Sequence, residues 1–165
     1  MQKPDTALPR VLAMGADNAG AELKNVIAEQ LRSERLVDVL DLGVLDATDQ
    51  TAYPDIGITV AQAVAGGDAW RGILVCGTGI GMAISANKVP GIRATVAHDS
   101  YSVERSILSN NCQILTLGAR VIGSELAIRL VREWLSYEFD TASPSAAKVG
   151  RLIELERAYA RGRSF

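Results

Sequence analysis

Five short apolar runs are spaced along the chain, each of a length that suits a buried strand. They are VLAMGA (11–16), VDVLDLG (37–43), GILVCG (72–77), GIRATVAH (91–98) and CQILTLG (112–118). The third run is almost continuously apolar, which is typical of a central parallel strand that is covered on both faces. The pattern therefore predicts five strands.

The stretches between these runs place apolar residues at three- and four-residue spacing, the pattern of helices with one buried face. This spacing predicts helices over 19–34, 55–67, 100–109 and 124–139, and a last one over 146–161 after the break TASPS. Because strand and helix alternate throughout, we expect a single-domain, three-layer α/β/α Rossmann-like fold. It would have a five-stranded parallel sheet and a C-terminal helix.

The composition fits one folded domain. The chain has 165 residues, of which 48% are hydrophobic and 22% are charged, enough to bury a core. Residues 1–10 lack the apolar segment of a signal peptide, and we expect a flexible tail there and the domain over 11–165. The net charge of −2 favours no nucleic acid, and no apolar run is long enough for a membrane span. We expect a cytoplasmic protein without nucleic-acid or membrane partners.

The cysteines and the histidine argue against a metal site. The chain has two cysteines, Cys76 and Cys112, and one histidine, His98, without zinc-type spacing. We therefore expect no metal. Cys112 opens an apolar strand and is interpreted as a core residue.

The loop CGTGIG (76–81) joins the third strand to a helix and places Cys76 beside three glycines. Backbone N–H groups at such a junction bind a phosphate or a developing oxyanion. The spacing is neither that of a Walker A loop nor the dinucleotide pattern G-x-G-x-x-G. Two interpretations follow: a tight turn with an inert thiol, or a thiolate that acts as nucleophile or general base, with Thr78 assisting.

Polar side chains suited to ligand binding follow the other strands. Ligands of a doubly wound sheet bind at the carboxyl ends of its strands. Asp17 and Asn18 follow the first strand, His98 ends the fourth, and Arg120 follows the fifth. Arg120 suits a phosphate and His98 suits proton transfer. The alternatives are a helix cap for Asp17 and Asn18 and a structural role for His98, and Arg93 is interpreted as solvated or structural.

Two dense stretches carry a resemblance to a known family. CGTGIGMAISANKVPGIRA (76–94) and SNNCQILTLGARVIGSELA (109–127) are similar to the ribose-5-phosphate isomerase B family, which includes galactose-6-phosphate isomerase. Weaker similarity lies in GADNAGAELK (15–24) and TAYPD (51–55), so the resemblance covers roughly residues 11–160. It implies an enzyme without metal or cofactor that interconverts phosphorylated aldoses and ketoses by moving a proton between C1 and C2 through a cis-enediolate.

The resemblance also implies roles for individual residues. Cys76 matches the general base, and Met82 stands where another branch of the family has a glutamate, which puts this chain in the cysteine branch. Thr78 matches the hydroxyl beside the base, and Asp17 matches a further residue of the site. The positions implied for substrate binding are Asn18, Tyr53, Gly77, Gly79, Ile80, Gly81, Ser109, Asn110, Arg120 and Lys148.

Some positions depart from the family pattern. Asn18 and Ser109 stand where the family usually has histidines, one of which helps to open the sugar ring. The segment SPSAAKVGR (143–151) lacks two phosphate-binding arginines and leaves Lys148, or Arg151 in a shifted register. Ring opening needs proton transfers that suit histidine. A four-carbon 4-phosphate cannot close a furanose because its O4 is esterified, so we expect a short open-chain substrate such as erythrulose 4-phosphate.

The segments SYSVER (100–105) and ILSNN (107–111) resemble a subgroup that acts on such tetruloses. In that interpretation His98 takes over part of the proton transfer between oxygens. The alternative is that His98 alone replaces the missing histidines and ribose 5-phosphate remains the substrate. The family is dimeric or tetrameric, which implies a homodimer or homotetramer whose sites lie at the subunit interface.

Other functions are compatible with the same residues. Cys76 with His98 would form a thiol pair for acyl transfer, with a covalent intermediate. A non-catalytic module would bind a sugar phosphate at the loop without turning it over. Nucleotide binding has less support, because the glycine spacing is wrong despite Asp41 at the end of the second strand.

Overall fold

Strands and helices alternate along the computed structural model, which describes residues 10–162. The strands are β1 Val11–Ala16, β2 Asp38–Asp41, β3 Arg71–Cys76, β4 Ala94–Val96 and β5 Ile114–Gly118. The helices are α1 Ala21–Glu34, α2 Tyr53–Gly66, α3 Ile80–Ala86, α4 Ser100–Leu108, α5 Ser124–Ser136 and α6 Ala146–Ala160. The predicted α/β alternation is confirmed. The tail expected at the N-terminus lies almost wholly outside the described residues.

Several boundaries differ from the sequence pattern, and two of the differences have a clear local reason. β4 is much shorter than the apolar run 91–98, because Gly91 has a φ of 85° and the chain turns before the strand begins. α2 begins at Tyr53 rather than at residue 55, because Pro54 is favourable in the first turn of a helix.

All strand pairs are parallel, and their order in the sheet is β2-β1-β3-β5-β4. From β1 the chain passes to β2 at one edge of the sheet. From β3 it passes to β4 at the other edge and then returns to β5, which lies between β3 and β4. The connections after β1 and β3 therefore leave on opposite sides, which opens a crevice at the carboxyl ends of these two strands. The topology points to this crevice as the ligand site.

Helices cover both faces of the sheet and form two separate cores. One core packs α1, α4 and α5 against Ile73 and Val75, and the other packs α2 and α3 against Leu74 and Cys76. Side chains of a strand point alternately to opposite faces. The Cys76 side chain therefore lies on the face covered by α2 and α3, at the carboxyl end of the central strand.

The amino end of the sheet is closed by stacked cationic and aromatic side chains. Arg71 is buried and donates from Nη1 to the carbonyl of Trp134 (2.9 Å) and from Nη2 to that of Tyr137 (2.8 Å). The Trp70 ring lies between two guanidinium groups, 4.2 Å from Arg10 and 4.1 Å from Arg71. Burial lowers the pKa of Arg71 to about 10, which still leaves a cation at neutral pH. These contacts fix the end of α5 against β3.

α6 lies beside the outer strand β4. Its Glu156 carboxylate accepts from the N–H of Gly91 at 3.0 Å, and Val149 is its one buried residue. None of the helices within residues 10–162 is both long enough and apolar enough to cross a membrane. Among the same residues, no group of three or more His, Cys, Asp and Glu side chains is arranged to hold a metal ion.

Candidate active site

A cleft of about 560 Å³ opens at the carboxyl ends of β1, β3 and β5. Most of the residues that the sequence predicts for the site meet there, although they come from four separate parts of the chain. The cleft is lined by Asp17, Asn18, Ala19, Tyr53, Cys76, Gly77, Thr78, Ile80, Gly81, Ile84 and Arg120.

β5 and the two residues that follow it donate hydrogen bonds to three carbonyl groups of the glycine loop. Ala119 N–H donates to Cys76 O (2.8 Å), Arg120 N–H to Gly77 O (3.0 Å), and Thr116 Oγ1 to Gly79 O (2.8 Å). The N–H groups of Gly77 and Thr78 find no acceptor within residues 10–162. Two backbone donors of the loop are therefore left for a bound anion.

The Cys76 thiol lies at the floor of the cleft. The residue is 6% exposed, and its Sγ accepts from the N–H of Gly79 at 3.1 Å. Gly79 adopts a φ of 80°, a left-handed conformation that favours glycine, and this turn aims its N–H at the sulfur. The sulfur thus has a fixed backbone donor. Thr78 Oγ1 accepts from Ile80 N–H (3.3 Å) and makes no hydrogen bond to the sulfur.

The glycines of the loop are required by the side chains that lie over them. A Cβ at Gly81 would stand 2.7 Å from the Tyr53 ring, and a Cβ at Gly77 would stand 3.3 Å from Arg120 Nη1. No carboxylate within residues 10–162 pairs with Arg120. Arg120 therefore presents to the cleft a guanidinium that has no ion-pair partner among these residues, and this guanidinium suits a phosphate or an enediolate.

The carboxylate of Asp17 has one occupied and one open oxygen. Its Oδ1 accepts from Ala19 N–H and Gly20 N–H, both at 3.1 Å, in the turn that precedes α1, whose N-cap is Gly20 and has no side-chain cap. Its Oδ2 accepts no hydrogen bond from the described part of the chain. Asn18 lines the cleft and is 3.5 Å from Gln50 Oε1, a long contact that leaves its amide available.

The structure assigns His98 a different role from the proton transfer expected from the sequence. His98 is absent from the cleft lining, and its Nε2 accepts from Gly118 N–H at 2.8 Å. That acceptor must be unprotonated, so the ring proton lies on Nδ1. Burial lowers the pKa of His98, against the opposing influence of Asp99. His98 therefore holds the end of β5, from which Ala119 and Arg120 hold the loop.

Gly79 is also absent from the lining, although its N–H contacts the Cys76 sulfur, and three other predicted residues lie outside the cleft. Ser109 ends α4, and its Oγ accepts from Arg105 Nη1 at 3.3 Å. Asn110 is exposed and donates from Nδ2 to the carbonyl of Arg105 at 3.0 Å. Lys148 is exposed on α6. A single chain does not bring these residues together with Cys76.

Sequence reasoning missed two residues of the cleft. Ala19 and Ile84 line it, and Ile84 is 57% exposed while the neighbouring Ile80 is 55% exposed. The four-residue spacing of the two isoleucines was the available signal, because it places them on one face of the short α3. Exposed apolar residues at this edge give the cleft an apolar rim.

The other cysteine and the branch-marking methionine are both core residues. Cys112 is buried as predicted, and burial raises the pKa of its thiol to about 11, so it is protonated and unreactive at neutral pH. Met82 is a fully buried residue of α3 and takes no part in the cleft lining. Cys76 is therefore the thiol that meets the cleft.

Four groups meet at the switch point of this α/β sheet. They are, within the described residues, a thiol with a backbone donor, two N–H groups without an acceptor, a guanidinium without an ion-pair partner, and a carboxylate with one oxygen that accepts no hydrogen bond. Such a cleft suits an enzyme that binds a small anionic substrate beside a thiol. A family model described as Ribose/Galactose Isomerase matches residues 12–152, and the chain belongs to this family.

Individual relatives agree with this family. The chain is 51% identical to D-erythrulose-4-phosphate isomerase 2 of Mycolicibacterium smegmatis, over 89% of this chain and 97% of the relative. It is 47% identical to the D-erythrulose-4-phosphate isomerase of Pectobacterium atrosepticum, over 84% and 92%. The structure of Clostridium thermocellum ribose-5-phosphate isomerase B superimposes with a TM-score of 0.85 and 43% identity, over 90% and 99% of the two chains. The chain is an aldose–ketose isomerase of sugar phosphates.

Proposed function

We propose that this isomerase interconverts D-erythrulose 4-phosphate and a tetrose 4-phosphate, with Cys76 as the base. The observation that carries the base assignment is the Cys76 sulfur at the cleft floor, where it accepts the Gly79 N–H (3.1 Å). The short substrate is supported by the lack of an imidazole in the lining of the cleft. The single histidine accepts the Gly118 N–H through Nε2 and lies outside this lining, which supports a substrate that needs no ring opening.

The proposed reaction is a proton transfer between neighbouring carbons. The Cys76 thiolate takes the proton from the carbon beside the carbonyl, and the electrons of that C–H bond form the C=C bond of the enediolate. The carbonyl π electrons move to oxygen, where the N–H groups of Gly77 and Thr78 stabilise the negative charge. The thiol then returns the proton to the other carbon. Asp17, through Oδ2, exchanges the proton between the two oxygens.

Arg120 is proposed to bind the anionic end of the substrate or its enediolate. Its guanidinium lies over Gly77 without a carboxylate partner in the described residues. An unpaired arginine in a cleft gains a charge-assisted, two-pronged contact when a phosphate arrives. Tyr53, packed on Gly81, closes the side of the cleft.

We also propose that a second copy of the chain completes each site, in a cytoplasmic homodimer or homotetramer. Ser109, Asn110 and Lys148 suit substrate binding but lie away from the Cys76 cleft of their own chain. The exposed Ile80 and Ile84 give the cleft an apolar rim against which a second copy would pack. Light scattering should give the mass of two or four chains, and a monomer would contradict this part of the proposal.

A substrate panel tests the proposed function. We expect kcat/KM for D-erythrulose 4-phosphate to exceed that for ribose 5-phosphate by about 10-fold or more, as one carbon changes the fit. A preference for the pentose would refute the short substrate and leave the isomerase assignment intact. In D₂O, deuterium should enter at the carbon beside the carbonyl. A covalent acyl-enzyme instead would favour acyl transfer, and binding without turnover would favour a non-catalytic module.

A further inference from the structure

A second cavity, of about 430 Å³, lies at the outer edge of the sheet beside β4 and α4. Arg93, Arg105, Ser102 and Asn110 contribute its polar lining, and no residue is shared with the Cys76 cleft. The lining contains two guanidinium groups and no carboxylate, and the Glu104 carboxylate just outside it pairs with one of the two. The lining itself is therefore cationic and suits an anion.

Of its two arginines, Arg93 has its donors occupied. Its Nε and Nη2 donate to the carbonyl of Asn111 at 3.0 Å and 2.9 Å, and Nε also reaches the carbonyl of Asn110 at 3.1 Å. Asn111 has a φ of 48°, an unusual backbone conformation for a residue other than glycine. Arg93 therefore holds the turn after α4 in place, which confirms the structural interpretation made from the sequence.

Arg105 has spare donor capacity. Its Nη1 donates to Ser109 Oγ at 3.3 Å, and its Nη2 pairs with the carboxylate of Glu104. Its Nε is enclosed and has no partner within residues 10–162. An anion cannot reach that atom, but the side chain is 38% exposed and each Nη carries two N–H groups, so one N–H on each Nη is left for a ligand. Of the two arginines in the cavity, it is the one with a donor to give.

Arg105 contacts both residues of this region that are predicted to bind the substrate, Ser109 and Asn110. Its guanidinium holds the Ser109 hydroxyl, and its main-chain carbonyl accepts from Asn110 Nδ2 at 3.0 Å. Since Ser109 Oγ accepts from Arg105, its hydroxyl proton is directed elsewhere and is free for a ligand. A cation, a hydroxyl and an amide therefore converge within about one turn of α4.

We propose that Arg105 binds the phosphate of the substrate whose reacting carbons occupy the Cys76 cleft of the partner subunit, and that it thereby selects a short substrate. The inference rests on the proposed function. Arg105 is one helical turn from Asn110, whereas Lys148 stands on a different element, α6. A phosphate one carbon nearer the reacting oxygens suits a cation placed beside Asn110.

The test compares Arg105→Met with wild type on D-erythrulose 4-phosphate and on unphosphorylated D-erythrulose. We expect KM for the phosphorylated sugar to rise by about 10- to 100-fold, the usual loss for one hydrogen-bonded charge, with kcat little changed. Proton exchange of unphosphorylated erythrulose should not change. Inorganic phosphate, as a competitive inhibitor, should bind less tightly by the same factor.

Three further variants keep the test decisive. Arg105→Lys should recover part of the affinity for inorganic phosphate, and Glu104→Gln should increase that affinity by releasing Nη2. The control is Arg129→Met on α5, where Arg129 is 73% exposed and pairs with Glu133; its kinetics should match wild type.

Equal losses for the phosphorylated and unphosphorylated sugars would show that Arg105 only positions Ser109 and Asn110, and would overturn the inference. An unchanged inhibition constant for inorganic phosphate would also overturn it. If wild type isomerises ribose 5-phosphate but not D-erythrulose 4-phosphate, the proposed substrate is wrong. The phosphate inhibition series then still decides the role of Arg105.

Discussion

Arg71 and Arg120 lie at opposite ends of the central strands and have opposite surroundings. Arg71 begins β3, is buried, and has its Nη donors satisfied by the carbonyls of Trp134 and Tyr137. Arg120 follows β5, lies over Gly77, and has no carboxylate partner within residues 10–162. The Arg71 guanidinium is therefore used in structural contacts, whereas the Arg120 guanidinium is available to a ligand.

The other residues at the two ends of the sheet show the same difference between satisfied and open polar groups. At the amino end, the Trp70 ring fills the space between two guanidinium groups. At the carboxyl end, Gly77 and Gly81 leave space, and backbone N–H groups stay unpaired. Satisfied groups stabilise a fold, whereas open polar groups reduce stability until a ligand arrives. Substitutions at the amino end should therefore change stability, and those at the carboxyl end should change activity.

The largest effect is expected for Cys76→Ala. Removing the general base should lower kcat by about 10³-fold, within the usual range for this kind of catalysis. Any loss of stability should be small and similar to that of Cys112→Ala, because each thiol belongs to a residue that is 6% exposed. Kinetics and thermal melting of the same preparation measure both quantities.

The matched control for that variant is Cys112→Ala, at the other buried thiol. It should keep kcat close to wild type and melt at a lower temperature, since it leaves a small cavity. Full activity of Cys76→Ala would show that the thiol is not the base. It would also contradict the expectation that substitutions at the carboxyl end change activity.

The second effect concerns Arg71→Met at the amino end. It removes two hydrogen bonds from a buried cation and its stacking on Trp70 and Trp134, so the free energy of unfolding should fall by about 3 kcal/mol. Urea unfolding measures the loss. The kcat of the folded fraction should stay near that of wild type, because this end is remote from the cleft.

Arg10→Met provides the comparison for Arg71. Arg10 stacks on the other face of Trp70 but is 55% exposed, and its ion pair with Glu138 lies at the surface. Its loss should cost less than about 1 kcal/mol, as usual for exposed pairs. A similar cost for both variants would show that burial of Arg71 adds no stability, and a loss of kcat would contradict the separation of the two ends.

Most of the cleft could be predicted from the sequence because parallel strands bring their carboxyl ends to one edge. Asp17, Cys76 and Arg120 each follow an apolar run, and this rule places them together without knowledge of strand order. The strand order itself is not encoded in periodicity. That β4 pairs with β5, which brings His98 Nε2 to Gly118 N–H, could not be foreseen.

The position of Asn110 exposes a different limit. Sequence similarity assigns it to the substrate, but α4 carries it to another edge of the molecule. Residues contributed by a second copy follow no pattern along the chain that would reveal which surface they face. Equally, the partners of Arg105 depend on side-chain directions at the end of α4, which spacing alone does not determine.

The smallest effect concerns pH and distinguishes two roles for His98. Because burial lowers its pKa in the folded state, the unfolded chain binds the proton first as pH falls below the ordinary value of 6.5. The stability that His98 contributes is therefore present above pH 6.5 and is lost progressively toward the lowered, folded-state pKa. Protonation would place a donor opposite the Gly118 N–H and break a bond worth about 1 kcal/mol.

Unfolding of wild type and His98→Gln in urea at pH 7.5 and pH 5 measures this contribution. Wild type should lose more stability than the variant between the two pH values, since the variant has no histidine to titrate. The kcat of His98→Gln at pH 7.5 should fall modestly, because His98 holds the strand end that supports the loop rather than the substrate. A large loss of kcat with unchanged stability would instead make His98 a proton carrier. The active site would then include a residue that follows β4.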